Sequence, residues 1–183
     1  MTDLQRQSDF QRDWAKESFA VQRAAKYHLR RQAFYDSWNN VTNGAGILLG
    51  AGTVVALIQN VNALGIASAV VITVLSTFNV VWGTSRRARL HNDLHRRYVG
   101  LEKKMVSAEQ IDEHTCRTAR AERLVIEADE PPTMFVVSVL SHNDVARATG
   151  AGDYFQVPLW QRWLAHFWAF PEARFAPVKR TAA

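Results

Sequence analysis

The chain lacks several things, and each absence excludes something. It has a single cysteine, Cys116, in 183 residues. No disulfide can close within the chain, and a structural zinc site built from several thiolates is excluded. Residues Met1 to Phe10 are polar and charged, with no apolar core leading to a small-residue cleavage site, so no cleavable signal peptide is expected. No H-E-x-x-H, P-loop, G-x-G-x-x-G or G-x-S-x-G pattern occurs. Strand alternation, internal repeats and low-complexity blocks are also missing. The most informative absence is central. Residues 37–85, the 49 positions between Asp36 and Arg86, contain no Asp, Glu, Lys, Arg or His. The whole-chain averages, 22 basic and 17 acidic residues and a net charge of +5, suit an ordinary soluble protein. A quarter of the chain without one ionisable side chain does not, and a plain water-soluble globule is excluded as the default.

What fills the gap is apolar. Val41 to Trp82 is a run of 42 residues, and one membrane span needs about 20. The polar cluster Gln59-Asn60-Val61-Asn62 divides it, which predicts a transmembrane hairpin of two helices, 41–58 and 63–82. Lys26, Arg30 and Arg31 precede the first span; Arg86, Arg87, Arg89, Arg96 and Arg97 follow the second; the connecting loop has no charge. The positive-inside rule then places both termini in the cytoplasm, and Tyr35, Trp38 and Trp82 fall at the cytoplasmic interface, where amphipathic rings are favoured.

Two small-x-x-x-small pairs, Gly46 with Gly50 and Gly65 with Ala69, are candidates for close helix packing. The second span is more polar than anchoring requires. Thr73, Ser76, Thr77 and Asn79 sit in its cytoplasmic half, with Ser76 and Asn79 sharing a face. Thr73, Ser76 and Asn79 are pore-lining candidates. The alternative, favoured by the residues alone, is that these groups hydrogen-bond helix to helix.

The flanking regions read as helical, giving an all-α fold: an N-terminal cytoplasmic amphipathic helix (1–40), the hairpin (41–83), a C-terminal helical region (84–170) and a flexible tail (171–183). Phe10, Trp14, Val21, Ala24, Ala25 and Leu29 recur at helical spacing. Leu90, Leu94, Tyr98, Leu101 and Met105 form one stripe on a helix expected to continue directly from the second span. Ser107, with Gln110 three residues on, fits a capping box opening a helix from Ala108 to about Ala128, which Pro131-Pro132 must interrupt. A helix from about Thr133 to Thr149 would stop at Gly150. A last helix, with Pro158 in its first turn, would end near Phe170. Its Leu159, Trp160, Trp163, Leu164, Phe167 and Trp168 could pack inward, meet another subunit or lie on a membrane.

Chemistry is sparse. Glu127, Asp129 and Glu130 form one polar group; His142, Asn143 and Asp144 form another. His91 and His95, four apart, are a possible metal pair. Paired carboxylates with a nearby His could act in acid–base work, but at a helix end they more often make caps and intersubunit salt bridges. No catalytic residues, no metal site and no cofactor are assigned. The arginines from Arg86 to Arg97 are better explained by topology and anionic lipid than by nucleic acid.

Four features together resemble one family. These are Lys26-Tyr27-His28 before the hairpin; the short-looped hairpin itself; Arg89-Leu90-His91-Asn92-Asp93-Leu94 with Arg97-Tyr98 after it; and Ile126-Glu127-Ala128-Asp129-Glu130-Pro131-Pro132 followed by Leu140-Ser141-His142-Asn143-Asp144-Val145-Ala146 and Gly150. They look like the SLATT proteins, two-transmembrane effector domains of prokaryotic nucleotide-signalling defence systems. The resemblance spans residues 15 to 170. It implies a bacterial inner-membrane effector that homo-oligomerises into a pore and arrests growth of an infected cell. It marks Glu127, Asp129, Glu130, Pro131, Pro132, His142 and Asn143 as motif and assembly residues. An upstream sensor protein or a nucleotide signal is then a possible partner, since the chain has no room for a sensing module. A non-conducting scaffold, recruiting a partner through the Trp-rich helix, is the competing expectation. A membrane-bound hydrolase using Glu127, Glu130 and His142 is a third.

Overall fold

Proline placement explains much of the architecture. All five prolines lie at or beyond Pro131, so nothing in the first 130 residues removes a helical donor. The structure, a computed structural model, describes residues 3–59, 61–150, 153–170 and 175–178. It is predominantly helical. Helix α1 (Asp3–Ile58) runs unbroken from the charged N-terminal region into the uncharged run. Then follow α2 (Asn62–Trp82), α3 (Thr84–Val106), α4 (Glu113–Glu127) and α5 (Phe135–Thr149), with a short α6 (Leu159–Leu164) flanked by two tiny strands, β1 (Tyr154–Phe155) and β2 (Pro177–Val178).

The chain divides into two units. One comprises Met1–Arg31 with His91–Ala183; the other is Gln32–Leu90. In the first, one core cluster joins Val21 and Ala25 of α1 to Leu94, Tyr98, Leu101 and Met105 of α3 and to Ala119 and Ile126 of α4. Four members of the predicted α3 stripe are therefore core. Leu90, its first member, is 38 % exposed, and Leu29 of α1 is 41 % exposed. A second cluster gathers Tyr27, Val136, Val137 and Ala165.

In the second unit, positions turned inward recur at spacings of three and four. They include Tyr35, Trp38, Thr42, Ala45, Leu49, Thr53 and Ala56 on α1, where Asn39, Gly44, Gly46 and Gly50 are also partly covered, and Gly65, Ser68, Ile72, Leu75, Asn79 and Trp82 on α2. Such alternation keeps one seam per helix facing its neighbour. At one end of the seam, Trp38, Phe78 and Trp82 form an aromatic cluster, with Phe78 and Trp82 centroids 4.6 Å apart. The outer faces are apolar: Ile47, Leu48, Ile58, Leu64, Ile66, Val80 and Val81 are all exposed. Among the described residues, one helical stretch, Ala63–Val106, contains a window long and apolar enough to cross a membrane, and almost none of that window is buried.

Several element boundaries differ from expectation. The helix after the second span does not continue directly. Gly83 takes a left-handed conformation (φ 58°) and caps α2, its N–H donating to the Asn79 and Val80 carbonyls, before α3 begins at Thr84. Only glycine enters that region without steric cost. Ser107 does not open a capping box: its hydroxyl donates back to Lys104 O at 3.1 Å, finishing α3. Asp112 is the cap instead, accepting from Thr115 N at 2.7 Å, and α4 starts at Glu113. A carboxylate at the cap, followed by an acidic first turn, complements the positive end of the helix.

Helix α5 starts at Phe135 rather than Thr133, and Gly150 (φ 69°) ends it as expected. The last helix stops at Leu164, well short of Phe170, with Pro158 as its N-cap residue rather than in its first turn. Phe170 itself takes φ 44°, which no helix continues through. The absence of strands is corrected by β1 and β2, which pair antiparallel, Tyr154 opposite Val178 and Phe155 opposite Pro177. Of the tail, residues 171–174 and 179–183 lie outside the described residues, as does Asn60 of the predicted divider.

Candidate functional site

The first unit is organised around a buried polar network. Tyr27 and His28 come from α1, His91 and Tyr98 from α3, and Glu130 from the segment joining α4 to α5. His28, His91, Tyr27 and Tyr98 are all buried. His28 Nδ1 lies 2.9 Å from His91 Nδ1. Two imidazole nitrogens at that distance hold one proton between them, so one ring donates and the other accepts. On its other side His28 Nε2 lies 3.0 Å from Glu130 Oε1. The Tyr98 hydroxyl donates to the same carboxylate oxygen. The His28 ring stacks on Tyr98 and meets Tyr27 edge-on.

The placement of Glu130 has a local cause. The residue before a proline is driven out of the helical region, so Pro131 ends the α4 turn and sends Glu130 into an extended segment beside α1 and α3. On the far side of Pro131-Pro132, the Met134 N–H donates to the Tyr27 hydroxyl at 3.0 Å, fixing the start of α5. Burial pushes the Glu130 carboxyl up. Hydrogen bonds from His28 and Tyr98, and the nearby His28 and Arg23 charges, outweigh it and hold the carboxyl below its ordinary range. Burial, and then the bond to and charge of Glu130, push the Tyr98 phenol far above its usual value.

Other predicted motif residues also find partners inside the chain. Asp129 pairs with Arg97 at 2.6 Å. Glu127 shares Arg123 with Glu17 of α1. Burial would lower the Arg123 pKa, but the two carboxylates raise it, so it stays charged. His142 Nε2 lies 3.0 Å from Asp153 O. The Asn143 amide donates to Phe155 O and accepts from Phe155 N, each at 2.8 Å, standing in for a third strand beside β1. Asp144 accepts from Arg30 Nε and Nη2 at 3.0 and 2.6 Å. These carboxylates form ion pairs within one subunit. Pro131 is half-buried and Pro132 exposed. His91 and His95 take separate partners, since His95 Nδ1 bonds Ala25 O at 2.9 Å. Among the described residues, no group of three His, Cys, Asp or Glu is placed to hold a metal ion.

In the second unit, Asn79 Nδ2 donates to Thr42 Oγ1 at 2.6 Å, and Asn79 Oδ1 accepts from Thr84 Oγ1 at 3.1 Å. Asn79 therefore sits in the seam, a helix-to-helix link. Thr73 and Ser76 are exposed, and Thr73 Oγ1 donates to its own helix at Ala69 O. At 100° per residue Thr73 and Thr77 lie on a face away from the seam, while Ser76 flanks the seam between that face and Asn79. An open polar cleft of about 560 Å³ reaches Ser76 and Asn79 and is bordered by Asn39, Asn43, Arg86 and Arg89. Gly65 is buried in the seam and Ala69 is exposed. A Cβ added at Gly46 or Gly50 would meet nothing within 4 Å, so neither glycine is used for close approach within the subunit.

No family model matches the chain, and no curated protein and no solved structure matches it.

The sequence marks these residues separately, His28 in a motif block, His91 as half of a possible metal pair, Tyr98 on the α3 stripe and Glu130 in the acidic group, and nothing in it brings the four together. Thr42 and Thr84, the partners of Asn79, were missed altogether. A hydroxyl inside an apolar run was the available signal for Thr42.

Proposed function

We propose that the chain is a membrane effector whose copies assemble into a pore, with segments 41–58 and 63–82 crossing the bilayer as a hairpin and both termini in the cytoplasm. The observation that carries this reading is the second unit. It holds an uninterrupted run of 49 uncharged residues, 37–85, most of it in two helices with many large apolar side chains exposed, while the polar groups Thr42 and Asn79 satisfy each other in the seam. In water those outer faces would be an aggregation surface; hydrocarbon is the solvent that suits them.

Two helices cannot enclose a channel, so conduction requires several subunits. With Asn79 engaged in the seam, Thr73 and Ser76 are the two pore-lining candidates left exposed on α2 to line an axis, with Thr77 beside Thr73. Uncharged walls select poorly by charge, so selectivity falls to Arg86 and Arg89 at the mouth of the polar cleft. The likeness of the motif blocks to SLATT proteins extends the proposal to growth arrest in antiphage defence at the bacterial inner membrane. The upstream trigger would be a sensor protein or a nucleotide signal, and no catalysis is involved.

The convergence of Tyr27-His28, His91, Tyr98 and Glu130 supports this, because it gives the blocks that carry the resemblance one shared role in holding the first unit together. A second reading, the non-conducting scaffold, is favoured by one observation: Trp160, Trp163 and Trp168 are 57, 81 and 66 % exposed. The deciding experiment is ion flux and dye release from liposomes holding the purified chain. The pore reading expects flux that T73L/S76L abolishes. The scaffold reading expects no flux, and loss of function on W160A or W163A.

A further inference from the structure

In the first unit, α5, β1 and the segment from Val157 to α6 enclose an open cavity of about 720 Å³, within the ~300–1,000 Å³ range of small-molecule sites. Three guanidinium groups line it, from Arg30, Arg147 and Arg162, against one carboxylate, Asp144. Arg30 already neutralises Asp144 through two hydrogen bonds. Arg147 is held over the Tyr154 ring, 5.7 Å from its centroid, a contact that leaves the edge of its planar fork to face a ligand. Among the described residues neither Arg147 nor Arg162 has a carboxylate partner. The cavity thus carries two uncompensated positive charges. Beside them, Gln161 Oε1 is buried with no hydrogen-bond partner. A buried acceptor in that state costs stability unless something donates to it.

We infer that this cavity binds a hydroxylated phosphate ester, with Arg147 and Arg162 on the phosphate and Gln161 Oε1 accepting from a ligand hydroxyl. The charge count selects the class. A phosphate monoester carries close to two negative charges at neutral pH and suits two guanidinium groups, which bind it by paired N–H donors. A lone carboxylate would leave one arginine unmatched. The Gln161 oxygen cannot face the phosphate, an acceptor itself, so the ligand must carry a separate donor. The inference does not depend on the pore reading. The same chemistry comes from a soluble ester or from the headgroup of phosphatidylglycerol phosphate, which carries a terminal phosphate monoester and a free hydroxyl.

The test uses the full chain in phosphatidylcholine nanodiscs, titrated calorimetrically with sn-glycerol 3-phosphate, inorganic phosphate and glycerol. Glycerol 3-phosphate should bind more tightly than inorganic phosphate, and glycerol not at all. R147Q and R162Q should each weaken binding about tenfold or more. Q161L should bring glycerol 3-phosphate down to the affinity of inorganic phosphate and leave the latter unchanged, a pattern that misfolding would not produce. A second arm counts phosphatidylglycerol phosphate molecules retained per chain by native mass spectrometry. Retention lost in R147Q/R162Q, with no calorimetric signal from the soluble ester, assigns the site to the lipid headgroup; the converse assigns it to a soluble ligand. A folded chain that binds neither, or an R147Q/R162Q variant that binds as the parent does, overturns the inference.

Discussion

Glu130→Ala is the most informative single change to the first unit. Glu130 accepts from His28 Nε2 at 3.0 Å and from the Tyr98 hydroxyl, both on fully buried side chains. Alanine leaves two buried donors without their acceptor, each costing about 1–3 kcal/mol. The Glu130 side chain keeps some solvent access, so water can enter the vacated space, and the expected loss is in the lower half, about 3 kcal/mol. For a chain of this length about 1 kcal/mol moves Tm by roughly 2–4 °C, so thermal unfolding in detergent, followed by circular dichroism, should drop by about 6–12 °C. Glu130→Gln retains an acceptor oxygen and should lose about half as much.

The pH dependence separates charge from shape. The folded-state pKa of Glu130 is held below its ordinary value of 4.5, so its contribution is fully present above that value and is lost as pH falls through the lower folded value. The parent chain should lose this contribution in acid, and Glu130→Gln should not. An unchanged Tm in Glu130→Ala, or the same acid-induced loss in Glu130→Gln, would refute the assignment of Glu130 as the acceptor of the network.

Four further outcomes are expected. His166 is pushed down to about 4, first by burial and then by the charges of Arg31 and Arg30; stability should therefore be full above its ordinary value of 6.5 and fall as pH drops toward 4, and an NMR titration of its ring should show a midpoint near 4. Asn79→Leu should weaken the α1–α2 seam by about 1 kcal/mol, read as reduced resistance to unfolding in detergent, because Thr42 and Thr84 both lose a partner. Asp112→Ala removes the cap of α4 and should cost about 1 kcal/mol, with faster hydrogen exchange in that helix and not in α5. Asn143→Ala should cost about 2 kcal/mol and expose the Phe155 amide to exchange, since that amide loses its acceptor.

Much of the helical layout was legible because the chain announces it locally. The stripe Leu94, Tyr98, Leu101 and Met105 follows helical periodicity and is core. Gly150 stops α5 where its missing Cβ permits a left-handed turn. Local signals failed where two of them competed. Ser107 and Asp112 are both acceptable caps, but Ser107 is still bonded into the last turn of α3, its N–H to Lys103 O at 3.0 Å and its hydroxyl to Lys104 O, so it does not open the next helix. The strands were invisible because two residues cannot show alternation; β1 is held by pairing with β2 and by the Asn143 amide, contacts no periodicity reports. The candidate sites were legible as blocks but not as a constellation. His28 and Glu130 lie 102 positions apart, and Thr42 and Asn79 lie 37 apart. Whether such pairs meet is decided by how the helices pack, which a pattern within either block does not encode.

The central claim is that Ser76 faces a water-filled axis in an assembled pore. With Cys116 replaced by serine, S76C and V71C chains in planar bilayers can be exposed to a charged thiol reagent while current is recorded. Val71 is exposed on a different side of α2 from Thr73 and Ser76. The account predicts a current that the reagent blocks in S76C and leaves unchanged in V71C. A membrane-inserted oligomer that carries no current, or a current indifferent to modification at residue 76, would contradict it.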